Sequence, residues 1–265
     1  GRGGFGGGGR GGAAALAGQA QFPPYGATIN YYLGHAPSGP ITIDVLNSAG
    51  AVVRSFSSEA SVASANESAR GSATEDEEGA PAFRRAAPPV RLTTSVGMNR
   101  LIWDFNDANG LMLPPGAYRV RLAVGGWNDS KPLTLTLDPR LAADNITTAD
   151  LREQYEHNVR MHAMVVEVND LANRVRQART RLRNGGDNQA LARIDAIATT
   201  LFGPDEGVRY GRPGLQTQIT YLAGMTTRVD QRVGRDAIER YQTLRKELDA
   251  VEREEGRGKG EGGAR

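Results

Sequence analysis

The chain has no cysteine and no long apolar run. Without a thiol, disulfides, thiolate metal sites and cysteine nucleophiles are excluded. No window approaches the ~18 consecutive apolar residues of a membrane-spanning helix. Phosphate-binding loops and Gly-x-Ser-x-Gly nucleophile motifs are also absent. We therefore expect no membrane span, and no motif indicates a cofactor.

The excess of positive over negative charge is small as well. The formal net charge is +2 over 265 residues, too weak a field to indicate nucleic acid or an anionic membrane as a partner. The opening run GRGGFGGGGRGG has basic residues but lacks the apolar core of roughly 7–15 residues that a signal peptide needs. No signal peptide is predicted within this chain.

Glycine is abundant, with 34 residues, many of which lie near the two ends. Residues 1–20 are rich in Gly and Ala and cannot bury enough apolar surface to offset their ordering entropy, which predicts a flexible linker. An RGG-like RNA-binding segment is the alternative, but two arginines and one phenylalanine favour a spacer. Residues 255–265 combine glycines with alternating charges, which predicts a frayed, disordered tail.

Period-two alternation marks two strands within 97–126. In the first, Leu101 and Trp103 alternate with Ile102. In the second, apolar residues alternate with arginines. Alternation of this kind places one set of side chains on a buried face. The predicted structural core consists of Trp103, Tyr118, Val120 and Leu122.

Further strands extend this pattern over residues 21–140. The runs 41–46 and 51–56 flank an Asn-Ser-Ala-Gly turn and predict a hairpin, and 131–138 adds another strand. Residues 58–89, rich in Ser, Ala and Glu, predict a disordered insertion. About six or seven short strands are typical of an Ig-like antiparallel β-sandwich, here without its cysteine pair.

After residue 140 the period becomes helical. Thr147 or Thr148 is the expected N-cap with Asp150 in the first turn, and Gly185-Gly186 is expected to end the first long helix. Residues 145–254 predict an α-helical bundle or hairpin. The predicted fold class is therefore α+β in two segregated parts, a β-sandwich followed by helices.

Several motifs carry a resemblance to known families. The segments PITIDVLNSAGAVVRSFS, GMNRLIWDF, LPPGAYRVRLAVGG and KPLTLTLDPR resemble the Ig-like module of the flagellar hook-capping protein. The order of sandwich, Asp-Pro-Arg and helices ending in GRDAIERYQTLRKELDAV looks like the C-terminal region of bacterial exported proteins. Those proteins carry BNR/Asp-box, sortilin-like β-propellers and are often labelled glycosyl hydrolase or exo-α-sialidase-like.

This resemblance implies a periplasmic or extracellular location, with a propeller upstream in the same protein or in another protein as the partner. It also implies that any sialidase-type chemistry lies in the propeller. No Asp-box motif occurs in this chain, so no catalytic residue is carried over.

Loop carboxylates are the first candidates for chemistry. A glycosidase needs two carboxylates ~5–9.5 Å apart, and Asp104, Asp107, Asp129 and Asp138 lie at predicted strand ends and loops. Their spacing singles out no pair, so solvated loop acids are the favoured interpretation. A calcium loop starting at Asp104 has Ala108 and Asn109 at its fifth and sixth positions, which does not fit an EF-hand.

Histidines and arginines are the second set of candidates. His157 and His162 do not share a helix face, and the weak pair of Glu153 with His157 falls short of the three or four ligands of a zinc site. His35 lies in a predicted loop. The arginines between 174 and 183 are interpreted as a solvated basic face rather than an anion site. No metal site is therefore predicted.

The favoured function is a non-catalytic accessory region that mediates packing, assembly or surface binding of a larger exported propeller protein. One alternative is a part of a secreted glycoside hydrolase-like enzyme that assists carbohydrate binding, with Trp127 beside Gly125-Gly126 as the exposed aromatic contact. Another is a structural subunit of an extracellular assembly. No catalytic residue is predicted in any of these cases.

Overall fold

The computed structural model describes residues 25–59, 90–203 and 211–261. In these ranges, six strands precede five helices, which makes the chain α+β. The strands are β1 (Ala27–Leu33), β2 (Ile41–Leu46), β3 (Val52–Ser57), β4 (Gly97–Trp103), β5 (Gly116–Val124) and β6 (Trp127–Leu135). The helices are α1 (Pro139–Ala143), α2 (Thr148–Gly185), α3 (Asn188–Phe202), α4 (Leu215–Thr227) and α5 (Arg235–Glu261). The predicted linker at 1–20 and nearly all of the predicted insertion at 58–89 lie outside the described residues.

The strands form two antiparallel sheets. One contains β1 and β4, and the other has the order β3-β2-β5-β6. Side chains from both sheets meet in one hydrophobic cluster, in which Trp103 is fully buried and Tyr118 is 8% exposed. Val120 and Leu122 pack against this cluster and are partly buried. The alternation of apolar residues thus points one face of each sheet into a common core.

Turn chemistry sets the two hairpins of the four-stranded sheet. Between β2 and β3, the Asn47 side-chain oxygen accepts hydrogen bonds from the backbone N–H groups of Ala49 and Ala51, which is an Asx-type turn. Between β5 and β6, Gly125 has φ +57°, a left-handed conformation that suits a residue without a Cβ.

Local signals also set the ends of α2. Thr147 and Asp150 form a capping box, in which the Thr147 N–H donates to the Asp150 carboxylate at 2.8 Å and the Asp150 N–H donates to the Thr147 hydroxyl at 3.2 Å. At the other end, Gly186 takes the left-handed conformation, with φ +77°. Both ends agree with the local signals in the sequence.

The long helices bury their apolar stripes against one another. Met161, Val168 and Leu171 of α2 share a cluster with Ile219 of α4 and Leu244 of α5. The α5 helix continues to Glu261, so the helix end expected at 254, from the glycines that begin at 256, is too early. The residues between those glycines, Arg257, Lys259 and Glu261, are of types that form helices well. Glu255, just before them, lies 3.8 Å from Arg174 of α2.

One side chain connects the strands to the helices. Tyr155 of α2 packs against the hydrophobic cluster of the sheets, and its hydroxyl donates to the Asp107 carboxylate at 3.0 Å. The first turns of α2 are therefore held beside the loop that follows β4. No helix within the described ranges is both long and apolar enough to cross a membrane.

Candidate interaction surface

Three of the four candidate acids are engaged in local contacts. Asp104 accepts hydrogen bonds from Asn106. Asp129 pairs with Lys131 at 2.9 Å, and Asp138 caps α1 while pairing with Arg140 at 2.7 Å. Hydrogen bonds from these cations, followed by backbone hydrogen bonds, lower the pKa of Asp129 and of Asp138. A carboxylate with a lowered pKa stays ionised at neutral pH and is a poor general acid.

The fourth acid, Asp107, is 4% exposed. One of its oxygens accepts the backbone N–H groups of Asn109 at 2.8 Å and Leu111 at 2.9 Å, and the other accepts the Tyr155 hydroxyl. Burial, followed by the charge of Asp107, raises the pKa of Tyr155 well above its usual range. The interpretation of Asp107 as a solvated loop acid is therefore wrong, because its loop folds back against α2.

The residues considered as metal ligands in the sequence are Asp104, Asp107 and the histidines. Among the residues that the structure describes, no group of three or more His, Asp or Glu side chains could hold a metal ion. The carboxylate oxygens of Asp104 and Asp107 accept hydrogen bonds from neighbouring loop residues, Asn106 and Leu111. His157 is 1% exposed in the helical core, whereas His35 is exposed.

The basic end of α2 is partly neutralised. Arg179 pairs with Asp195 at 2.5 Å, and Arg174 lies 3.8 Å from Glu255. The guanidinium of Arg176 stacks over the ring of Phe202, 4.5 Å from its centroid. Through these contacts the three arginines pack α2 against α3 and α5. Their guanidinium groups are engaged within the helices, which does not favour an anion site.

The outer face of the β1–β4 sheet carries exposed apolar side chains, with Tyr32 and Met98 at one end and Ile102 beside Thr28 at the other. The register places Tyr32 opposite Met98 and Thr28 opposite Ile102. Tyr32 is 67% exposed and Met98 is 69% exposed. In the middle row, Arg100 donates to the side-chain oxygen of Asn30 at 3.1 Å, rather than to a carboxylate. We call this surface, formed by Thr28, Asn30, Tyr32, Met98, Arg100 and Ile102, the β1–β4 outer face.

Large apolar side chains are also exposed at two other places. Trp127 is 56% exposed where β6 begins, directly after the Gly125-Gly126 turn. On α4, Tyr221 and Met225 are four residues apart and are 61% and 49% exposed. Exposed apolar side chains that occur in contiguous groups are typical of interaction sites, whereas scattered single residues are common on any surface.

The cross-strand pair of Tyr32 and Met98 could not be read from the sequence. Period-two alternation assigns Tyr32 to the outward set of β1, but it does not show which strand lies beside β1. The pairing of β1 with β4 brings together residues on either side of the 60–89 segment. No local signal in either strand specifies this partner.

Comparison with protein-family models, with curated proteins and with solved structures found no match to this chain.

Proposed function

We propose that this chain is a non-catalytic accessory region that packs against another protein through the β1–β4 outer face. The observation that supports this most directly is the exposed Tyr32–Met98 pair, in register on adjacent strands. Tyr and Met are enriched in the cores of protein interfaces, as is Arg. Arg100 supplies that third residue type in the middle row of the same face.

The engagement of the acids supports the non-catalytic part of the proposal. Asp107 is buried and hydrogen-bonded on both oxygens, and Asp129 and Asp138 are each paired with a neighbouring cation. Glycoside hydrolysis needs one carboxylic acid with a raised pKa beside a second carboxylate. The pKa values of Asp129 and Asp138 are lowered, whereas the general acid of a glycosidase needs a raised pKa.

At a finer level, we propose that the two sheets form an Ig-like β-sandwich and the helices a bundle. The cluster shared by both sheets supports the first assignment, and the cluster shared by α2, α3, α4 and α5 supports the second. The resemblance to hook-capping-like modules of exported proteins suggests a β-propeller as the partner, and a periplasmic or extracellular location.

The partner is tested first at the level of the gene. The coding sequence upstream of Gly1 is expected to contain a β-propeller. An upstream sequence that encodes no propeller contradicts the proposed partner and, with it, the basis for an exported location.

The surface is tested by binding. The propeller region is produced separately and titrated with the 265-residue chain by calorimetry. The double variant Tyr32→Ser, Met98→Ser is expected to raise the dissociation constant about tenfold or more, as for loss of a central interface contact.

The matched control is Tyr221→Ser, Met225→Ser, which removes the same residue types from the exposed side of α4. It is expected to bind as the wild type does. Equal binding by both double variants and the wild type contradicts the assignment to the β1–β4 outer face. Self-association of the wild-type chain through this face would instead support the structural-subunit alternative.

Carbohydrate binding is the second candidate, because Trp127 is more than half exposed on a tight hairpin. An indole in this position can stack on the apolar face of a sugar ring. Glycan-array binding that is lost in Trp127→Ala and kept in Tyr221→Ala would support it. Absence of glycan binding by the wild type would remove it.

A further inference from the structure

His157 is packed in the helical core as though it were an apolar ring. Its side chain is 1% exposed, and neither ring nitrogen has a hydrogen-bond partner among the described residues. The ring meets Tyr241 of α5 edge to face, with 5.8 Å between the ring centroids. Buried polar groups are normally hydrogen-bonded, and a buried unpaired charge is far more costly than a buried unpaired neutral group.

The charges around His157 also oppose its protonation. Burial first, and then the positive charge of Arg160, hold the pKa of His157 below its ordinary value of 6.5. The Arg160 guanidinium lies 6.0 Å from the centroid of the Tyr241 ring, so it occupies the same neighbourhood. No carboxylate is among the groups that shift this pKa.

The other elements packed on this part of α2 bring no compensating acid. The α4 sequence contains no acidic or basic residue, and its one titratable group, Tyr221, is 61% exposed. The connection at 228–234 carries Arg228, which is exposed, and also Asp230 and Arg232. Arg232 pairs with Asp150 at 2.8 Å, and burial, followed by the charge of Asp138, raises the pKa of Asp230.

The first turns of α5 carry Arg235, Asp236, Glu239 and Arg240, and none of these is among the groups that shift the pKa of His157. Arg235 pairs with Glu239 at 3.1 Å. Arg240 contacts the Gln218 side chain and lies 3.8 Å from Glu247. On α2 itself, Glu153 and Glu156 are exposed and are not among the groups that shift this pKa. A protonated His157 would therefore have the Arg160 cation beside it and no anion among the groups that act on it.

Gln154 and Asn158, three residues before and one residue after His157 in the sequence, fasten the end of α4 and the α4–α5 connection to α2. Gln154 donates to the carbonyl oxygens of Thr226 at 2.8 Å and Val229 at 2.7 Å, and accepts the Gln231 N–H at 3.1 Å. Asn158 donates to the Thr226 carbonyl at 3.2 Å. Loosening the packing at His157 would therefore disturb the joint from which α5 begins.

We infer that His157 makes the attachment of α5 to α2 sensitive to acid. The neutral imidazole permits the close contact with Tyr241, and the imidazolium requires solvent or an anion that the closed arrangement does not provide. Protonation then favours an opened state in which residues 228–251 separate from α2. None of the six strands lies within residues 228–251.

The direction of the effect follows from linkage. A histidine whose folded-state pKa is depressed binds its proton less readily in the closed state than in the opened or unfolded state. The stabilisation is fully present above the ordinary pKa of 6.5 and is lost as the pH falls from there towards the folded-state pKa. The opening equilibrium constant then rises by up to about tenfold per pH unit. Asp230, with its raised pKa, acts in the opposite direction at lower pH.

The test is hydrogen exchange of the full chain at about pH 7.5 and about pH 5.5, corrected for intrinsic exchange rates. Faster corrected exchange is expected across 228–251 at the lower pH, by about tenfold for one pH unit below the ordinary pKa. His157→Leu is expected to abolish this difference between the two pH values. His35→Gln and His162→Gln are expected to retain it.

The wild-type protein also provides a readout that needs no variant. Of its three histidines, the one assigned to His157 by NMR is expected to titrate below 6.5. Titration of His157 at or above that value overturns the inference. A pH difference in exchange that persists in His157→Leu, or that is absent from the wild type, also overturns it.

Discussion

The two sheets share one core but present different outer faces. On the four-stranded sheet, Asp44 accepts hydrogen bonds from Ser55 at 2.7 Å and from Arg121 at 2.7 Å, so charge and polarity are balanced within the face. On the β1–β4 outer face, Tyr32 and Met98 meet in solvent. A balanced polar face has little to gain by losing water, whereas an apolar face gains free energy when it is covered. The comparison therefore sets a polar outer face beside a face with an exposed apolar pair, and the second is the one that we propose as the docking surface.

The largest effect is expected on the inner side that both sheets share. Trp103 is fully buried, and its indole N–H donates to the Asn106 carbonyl at 2.9 Å. Trp103→Ala is expected to destabilise the folded state by about 3–5 kcal/mol, because it leaves a large cavity. Urea denaturation measures the change. Trp127→Ala, at the exposed end of β6, should change stability by less than about 0.5 kcal/mol, and similar losses from both variants would contradict the difference in burial.

A smaller effect is expected where the strands meet the helices. Asp107→Ala removes the acceptor for Asn109, Leu111 and Tyr155, and we expect a loss of about 2–3 kcal/mol because buried donors are left unpaired. Asp104→Ala is the matched control in the same loop. A double-mutant cycle with Tyr155→Phe measures the coupling between loop and helix, and a coupling energy near zero would show that the hydrogen bond does not hold the two parts together.

The smallest changes in stability are expected for substitutions on the two outer faces. These substitutions compare the two faces directly. Asp44→Ala removes a partly buried ion pair and a cross-strand hydrogen bond, and is expected to cost about 1 kcal/mol or less. Tyr32→Ser with Met98→Ser is expected to leave stability within about 0.5 kcal/mol, because these side chains are mostly in water already. Thermal unfolding in low and high salt checks both. A larger loss from the Tyr32–Met98 variant than from Asp44→Ala would indicate that the apolar face supports the fold itself.

Local sequence patterns predicted the start of α2 and the buried face of β4. The capping box at Thr147 follows from residue types three positions apart, and the alternation that buries Trp103 follows from the two-residue period of a strand. These signals depend on neighbours in the sequence, so one chain is enough to detect them.

Long-range contacts were missed because no local pattern contains them. The Asp107–Tyr155 hydrogen bond joins a loop to a helix 48 positions away, and the pairing of Tyr32 with Met98 crosses the 60–89 segment. His157 is a different case. It stands four residues before Met161, in line with the buried stripe of α2, so its burial could have been predicted from helical periodicity.

Both tryptophans of the chain lie in the strands, Trp103 in β4 and Trp127 at the start of β6. The indole fluorescence of these 265 residues therefore originates entirely in the sheets, with one indole buried and the other more than half exposed. Rearrangements confined to α4 and α5 would leave that emission almost unchanged. A quencher in solution would reach Trp127 first, so the two environments can be resolved without any label.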